Sequence, residues 1–149
     1  MLFQAFKIKS KLLNSRNNCF SDKSLFAICD SSKNSLEDLT IRNGHRLSDS
    51  GLGFSISILK NLRRLDLSFC RQITDACLLQ IFSSDSICST LTTLNVRFLN
   101  NITLRGLKPA LVRTKALRRL EMSACLQVEL TPALYLMTVR KQPIVSLSI

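Results

Sequence analysis

The stretch Leu62-Arg63-Arg64-Leu65-Asp66-Leu67-Ser68-Phe69-Cys70-Arg71-Gln72-Ile73-Thr74-Asp75-Ala76-Cys77-Leu78 decides the fold. Its opening places apolar side chains at positions 1, 4 and 6. The alternation at the end of that piece is the mark of a short, half-buried strand. Irregular residues 68–72 follow. Then comes Ile73-Thr74-Asp75, in which Thr or Asp can cap a helix start. Leu78, Leu79, Ile81 and Phe82 continue at helical spacing.

Working outward, the 1-4-6 pattern recurs as Leu36, Leu39, Ile41; Leu91, Leu94, Val96; Leu117, Leu120, Met122; and Ile144, Leu147, Ile149. The steps between starts are 26, 29, 26 and 27 residues. A second apolar mark falls eleven residues after each of the first four starts, at Leu47, Ile73, Ile102 and Val128. A third falls sixteen residues after, at Leu52, Leu78, Leu107 and Ala133. Phe20-Ser21-Asp22 with Leu25, Phe26 and Ile28 matches the helical half of one more unit. Its strand half should lie near residues 9–14, with Leu12 the clear match. One unit cannot bury its apolar residues alone, but side-by-side stacking builds a continuous core. The reading is an α/β solenoid over residues 20–149. Parallel strands line its concave face, and the wider helices form the convex face.

The quoted residues resemble the cysteine-containing class of leucine-rich repeats, L-x-x-L-x-L-x-x-C-x-x-I-T-D-x-x-L. The fourth unit keeps Cys125 but has Val128-Glu129-Leu130 in place of I-T-D. Gly44 and Leu99 stand at the cysteine position of the first and third units. The best-known members of this class are F-box proteins. The resemblance therefore implies substrate recognition for an SCF-type ubiquitin ligase, in ubiquitin-dependent protein catabolism. An F-box is helical, roughly forty residues long and begins near a Leu-Pro pair. Here the prolines, Pro109, Pro132 and Pro143, all fall within the repeats, and residues 1–19 are too few. Ligase components are thus expected only through a missing or separate F-box. Free-standing regulators carry the same repeats, and a mitochondrial assembly-factor group has similar ones.

Composition narrows the alternatives. The 149 residues are 46% hydrophobic and 21% charged, which excludes a disordered chain. No run approaches the roughly 18 apolar residues of a membrane span. The formal net charge of +11 raises the question of nucleic acid. The repeat register answers it by distributing the charge. Solvent-facing positions form three rows across the sheet. The first is Asp38, Arg64, Thr93, Arg119 and Ser146. The second is Thr40, Asp66, Asn95, Glu121 and Ser148, and the third is Arg42, Ser68, Arg97 and Ser123. Four arginines stand against three acids, so the expected binding face carries about +1 of the total. That near-neutrality, with no recognised nucleic-acid motif, argues against a specific nucleic-acid partner.

Within those rows, Arg64 with Asp66 and Arg119 with Glu121 sit two apart on one strand. Neighbouring strands lie about 4.8 Å apart, so lateral pairing is open as well. The rows read either as a self-neutralising solvated face or as a protein-binding one. Phe69 and Phe98 follow the third row. They read either as interface anchors beside arginine or as packing in the loop layer. Elsewhere, Lys60, Lys115, Arg140 and Lys141 precede strands, where cations complement helix C-termini. Arg105, Lys108 and Arg113 share one helical segment, on the convex face.

Six cysteines, Cys19, Cys29, Cys70, Cys77, Cys88 and Cys125, have no C-x-x-C spacing, and His45 is the single histidine. Metal ligation is therefore not expected, and buried free thiols in a reducing compartment are. With no phosphate-cradling loop or paired catalytic carboxylates, neither enzyme nor cofactor is expected. Residues 1–19 form a basic segment with Lys7, Lys9, Lys11 and Arg16 and no acid. They read as a degenerate repeat or cap, or as a mitochondrial targeting segment. The expected location is cytoplasmic or nuclear, with mitochondrial the alternative.

Overall fold

A computed structural model of the chain describes residues 20–125, 127 and 128, together with the backbone of residues 12–15. Along it run β1 (Leu12–Ser15), α1 (Asp22–Ser31), β2 (Asp38–Ile41), α2 (Asp49–Ser57) and β3 (Arg64–Asp66). Then come α3 (Asp75–Ile81), α4 (Asp85–Thr90), β4 (Thr93–Asn95), α5 (Leu104–Arg113) and β5 (Arg119–Glu121). The protein is α/β: five parallel strands form one sheet in chain order, β1-β2-β3-β4-β5. Helical segments connect successive strands, and α1, α2, α3 and α5 pack on one another in turn.

Every described residue of the 1-4-6 pattern and of its marks eleven and sixteen residues on is buried. Leu39, Leu65, Leu94 and Leu120 occupy one register position across the sheet. Leu47, Ile73, Ile102 and Val128 close the core between strand and helix, and Leu52, Leu78 and Leu107 bring the helices down onto it. The 29-residue step contains the added helix α4. Arg113 fastens the break before that helix, donating to the Phe82 carbonyl and to Asp85 Oδ1, the latter at 2.7 Å. Ile144, Leu147, Ile149 and Ala133 lie outside the described residues. So do Ser146, Ser148, Arg140, Lys141, Cys19 and the side chains of the basic segment.

Three expectations need correction. In β1 it is Leu13, not Leu12, that pairs with Leu39. Seven residues separate Leu13 from Phe20, against eight between Leu39 and Leu47, so counting back from the helix lands one residue early. Phe26 does not enter the core: it is 38% exposed and stacks on Phe54, with ring centroids 5.5 Å apart. The helix-dipole account of Lys60 also fails. Lys60 lies beyond the α2 C-cap Ile58, and no basic residue occupies the last turn of α1, α2, α3 or α4.

The capping chemistry divides between two residues. Ser21, Ser48, Thr74 and Thr103 are the N-caps, each accepting a backbone N–H of the first turn. The acids one residue later reach into the next unit instead. Asp22 accepts from Ser48 N and Oγ at 3.0 and 2.6 Å. Asp49 accepts from Thr74 N and Oγ1, and Asp75 from Thr103 N and Oγ1 at 2.7 and 2.6 Å. Glycines make room for two of these carboxylates: a Cβ on Gly51 would lie 2.0 Å from Asp22 Cγ, and one on Gly106 2.3 Å from Asp75 Oδ1.

Candidate protein-interaction face

Strand pairing assembles the expected rows residue by residue. Asp38, Arg64, Thr93 and Arg119 are register neighbours, as are Thr40, Asp66, Asn95 and Glu121. Both rows lie on the face opposite the buried leucines, because alternate strand residues point to opposite sides. Nine of the fourteen expected site residues line one shallow groove of about 420 Å³: Asp38, Thr40, Arg42, Arg64, Asp66, Thr93, Asn95, Arg119 and Glu121. The other five, Ser68, Phe69, Arg97, Phe98 and Ser123, sit past the strand ends, where the chain turns into the loops.

Ion pairs organise this face, in a pattern different from the simple same-strand one. Arg64 reaches sideways to Asp38, donating to Oδ2 at 2.6 Å, with Nε 2.5 Å from Oδ1 at an angle that makes no hydrogen bond. That hydrogen bond, with the nearby charge, holds the Arg64 guanidinium above its ordinary pKa. Arg42 donates through Nε and a terminal nitrogen to Asp66 Oδ2 of the next strand, at 3.0 and 2.7 Å. Arg119 pairs with Glu121 on its own strand. The acids are sunk, with side chains 14–15% exposed, while their arginines stand above them at 41–64%. A molecule approaching this face meets guanidinium groups backed by carboxylates.

Ser68 departs from expectation: it is 2% exposed. Its short side chain lies in the row between Arg42 and Arg97. Its N–H is turned to Asp66 Oδ1 at 2.9 Å, and its carbonyl accepts from Asn43 N. Asn95 Oδ1 makes the matching bond to Arg97 N at 3.1 Å. These carboxylate and amide oxygens brace the backbone bend at the ends of β3 and β4.

The next position was not legible from pattern. Asn43, Phe69, Phe98 and Ala124 occupy equivalent places, and all four have positive φ, from 57° to 65°. Hydrogen bonds from Cys70 N to Leu67 O, Leu99 N to Val96 O and Cys125 N to Met122 O close turns whose third residue is left-handed. Such a position favours Gly or Asn, and a bulky residue there is a genuine outlier. Yet Phe69 and Phe98 fill it twice. Their rings stack with centroids 4.4 Å apart and planes 12° apart, close to the strand spacing that sets them side by side. The Arg97 guanidinium lies 5.8 Å from the centre of the Phe98 ring.

Beneath the turns, cysteines tie each loop to the one before. The Cys70 thiol donates to Ile41 O and accepts from Gly44 N, both at 3.3 Å. Cys125 donates to Val96 O at 3.0 Å. The five described cysteines are free and buried. Desolvation pushes the Cys29 thiol up to about 12 and Cys70 to about 11, and raises Cys77 and Cys125. Thiols held protonated in this way are poor nucleophiles. His45 is exposed. Among the described residues no group of three or more His, Cys, Asp or Glu side chains is placed to hold a metal ion. None of the described helices is long and apolar enough to cross a membrane. No protein-family model matches this chain, and no curated relative matches it either.

Proposed function

We propose that the chain is a leucine-rich-repeat solenoid of the cysteine-containing class, with its strands on the concave side. Its function, on this reading, is to bind a protein partner on the solvent face of the sheet. The observation that carries the reading is the build of that face. It holds arginines oriented by sunken carboxylates, ending at a stacked phenylalanine pair in backbone positions that do not favour phenylalanine. Aromatic and arginine side chains together are the usual anchors of protein interfaces. By resemblance of the repeats, the setting is substrate recognition for ubiquitin-dependent degradation. The basic, acid-free residues 1–19 favour a second setting, a mitochondrial assembly role.

A photo-crosslinking amino acid at Thr93, in the groove, is expected to trap a discrete protein adduct in cells. The same group at the exposed Val112 of α5 is expected to trap none. Arg64→Glu should abolish the adduct with the chain still folded by circular dichroism. Equal adducts from both positions would overturn the assignment of the face. Co-purification of ligase adaptor components with the adduct favours the degradation setting. Mitochondrial import of a C-terminal fluorescent fusion favours the other.

A further inference from the structure

We propose that Arg97, with the Phe69–Phe98 stack beside it, is where this face takes a carboxylate side chain of its partner, so that the partner presents an acidic peptide segment. This rests on the reading of the sheet as a protein-binding face and names the chemistry of what it recognises.

The argument begins with the face's own acids. Asp38 is taken by Arg64, Asp66 by Arg42 and Glu121 by Arg119. Arg97 is the residual positive charge of the rows, and the reason lies in the strands. Arg42 finds its acid in the second row of the next strand, at Asp66. The corresponding acid for Arg97 is Glu121, but Arg119 already holds it. On its own strand the second-row residue is the neutral Asn95, whose oxygen is turned to the Arg97 backbone N–H. Arg97 Nε is shielded from water and has no hydrogen-bond acceptor among the described residues. A half-buried guanidinium with one flank against an aromatic ring and no acid of its own face to pair with is a receptor for a planar anion, and a carboxylate matches its fork. The adjoining half-buried rings offer apolar surface for the stem of an Asp or Glu side chain and for its neighbours. Phe69 and Phe98 both hold a left-handed backbone that bulky residues rarely adopt. Strain held at such positions is characteristic of sites that bind.

The test uses the full chain and a displayed library of random heptapeptides, with selected sequences remade as fluorescein-labelled peptides. Selected peptides are expected to share an Asp or Glu. Changing that residue to Asn or Gln should weaken binding to the wild type at least tenfold, but binding to Arg97→Gln less than twofold. Phe98→Asn, which suits the left-handed backbone, should also weaken binding at least tenfold with the chain still folded by circular dichroism. Peptides that need Arg64 and Arg119 but are indifferent to Arg97→Gln would overturn this inference alone. A library that yields no peptide sensitive to Arg64→Glu or Arg119→Glu would overturn the protein-binding reading with it. Arg97-dependent binding of the oligonucleotide dT12, with no acidic peptide selected, would replace the peptide by a nucleic acid.

Discussion

Gly106→Ala is expected to destabilise the protein by about 2–3 kcal/mol, although helix propensity alone favours Ala by about 1 kcal/mol in a helix. The reason is the acid reaching over from α3. The new Cβ would lie 2.3 Å from Asp75 Oδ1 and 3.0 Å from Asp75 Cα. Moving the carboxylate aside breaks its bonds to Thr103 N and Oγ1. Hydrogen bonds to a charged group contribute about 1.5–3 kcal/mol each, so their loss outweighs the gain in propensity. The shift should appear in urea denaturation as a lower midpoint. A double-mutant cycle with Asp75→Ala sharpens the test, because both single changes remove the same link. The double variant should be more stable than the sum of the two losses predicts, by at least about 1 kcal/mol. A neutral or stabilising Gly106→Ala, or strict additivity, would show that the Asp75–Thr103 bridge does not hold the units together.

Alkaline pH should weaken the fold from about pH 9 upward, where thiols begin to ionise. A buried thiol whose pKa is raised by folding contributes its full stabilisation below the ordinary thiol value of about 9. That contribution is lost as pH rises towards the folded value, because the unfolded chain releases its proton first. Cys29, at about 12, and Cys70, at about 11, span the window from pH 9 to 11, and Cys77 is raised in the same direction. Each such thiol removes about 1.4 kcal/mol per pH unit. The three together should therefore remove about 3 kcal/mol between pH 9 and 10, because the unfolded thiols are half ionised at the start of that range, a sizeable share of the 5–15 kcal/mol typical of a domain. Urea midpoints at pH 7, 9 and 10 measure this directly. Cys29→Ala should lower the midpoint at pH 7 through its cavity, yet flatten the fall above pH 9. An unchanged midpoint from pH 9 to 10 would contradict the burial of these thiols. In a Cys19→Ser background, the remaining thiols should react with a disulfide reagent at neutral pH only as fast as the chain opens.

Much of this architecture is written in spacing. The buried positions from Leu36 to Val128 follow from a period alone, because each apolar mark has one place to go once units stack side by side. The same period brings nine of the fourteen candidate residues into one groove. It does not reveal how they bond. Whether Asp66 serves Arg64 on its own strand or Arg42 on the previous one depends on side-chain reach and on which acceptor is already filled. Neither is a property of residue order. Ser68 shows a related limit: a serine in a polar row reads as solvent-facing, yet it is buried. The left-handed turns are hidden because pattern reading looks for Gly or Asn there, and two of the four sites hold Phe. The Asp of the I-T-D element has the chemistry to cap its own helix. Only the fold shows it spent on the following one.

The bridges from Asp22, Asp49 and Asp75 all run forward, and the thiol bonds of Cys70 and Cys125 all run backward. At the next place in the forward series stands Leu104, which has no carboxylate to extend. The helix layer is thus cross-braced as far as Thr103, whereas on the loop side Cys125 carries the bracing one unit further. In mechanical terms, shear between neighbouring described units is resisted in the helix layer by the three carboxylate bridges and on the loop side by two thiol bonds standing two units apart.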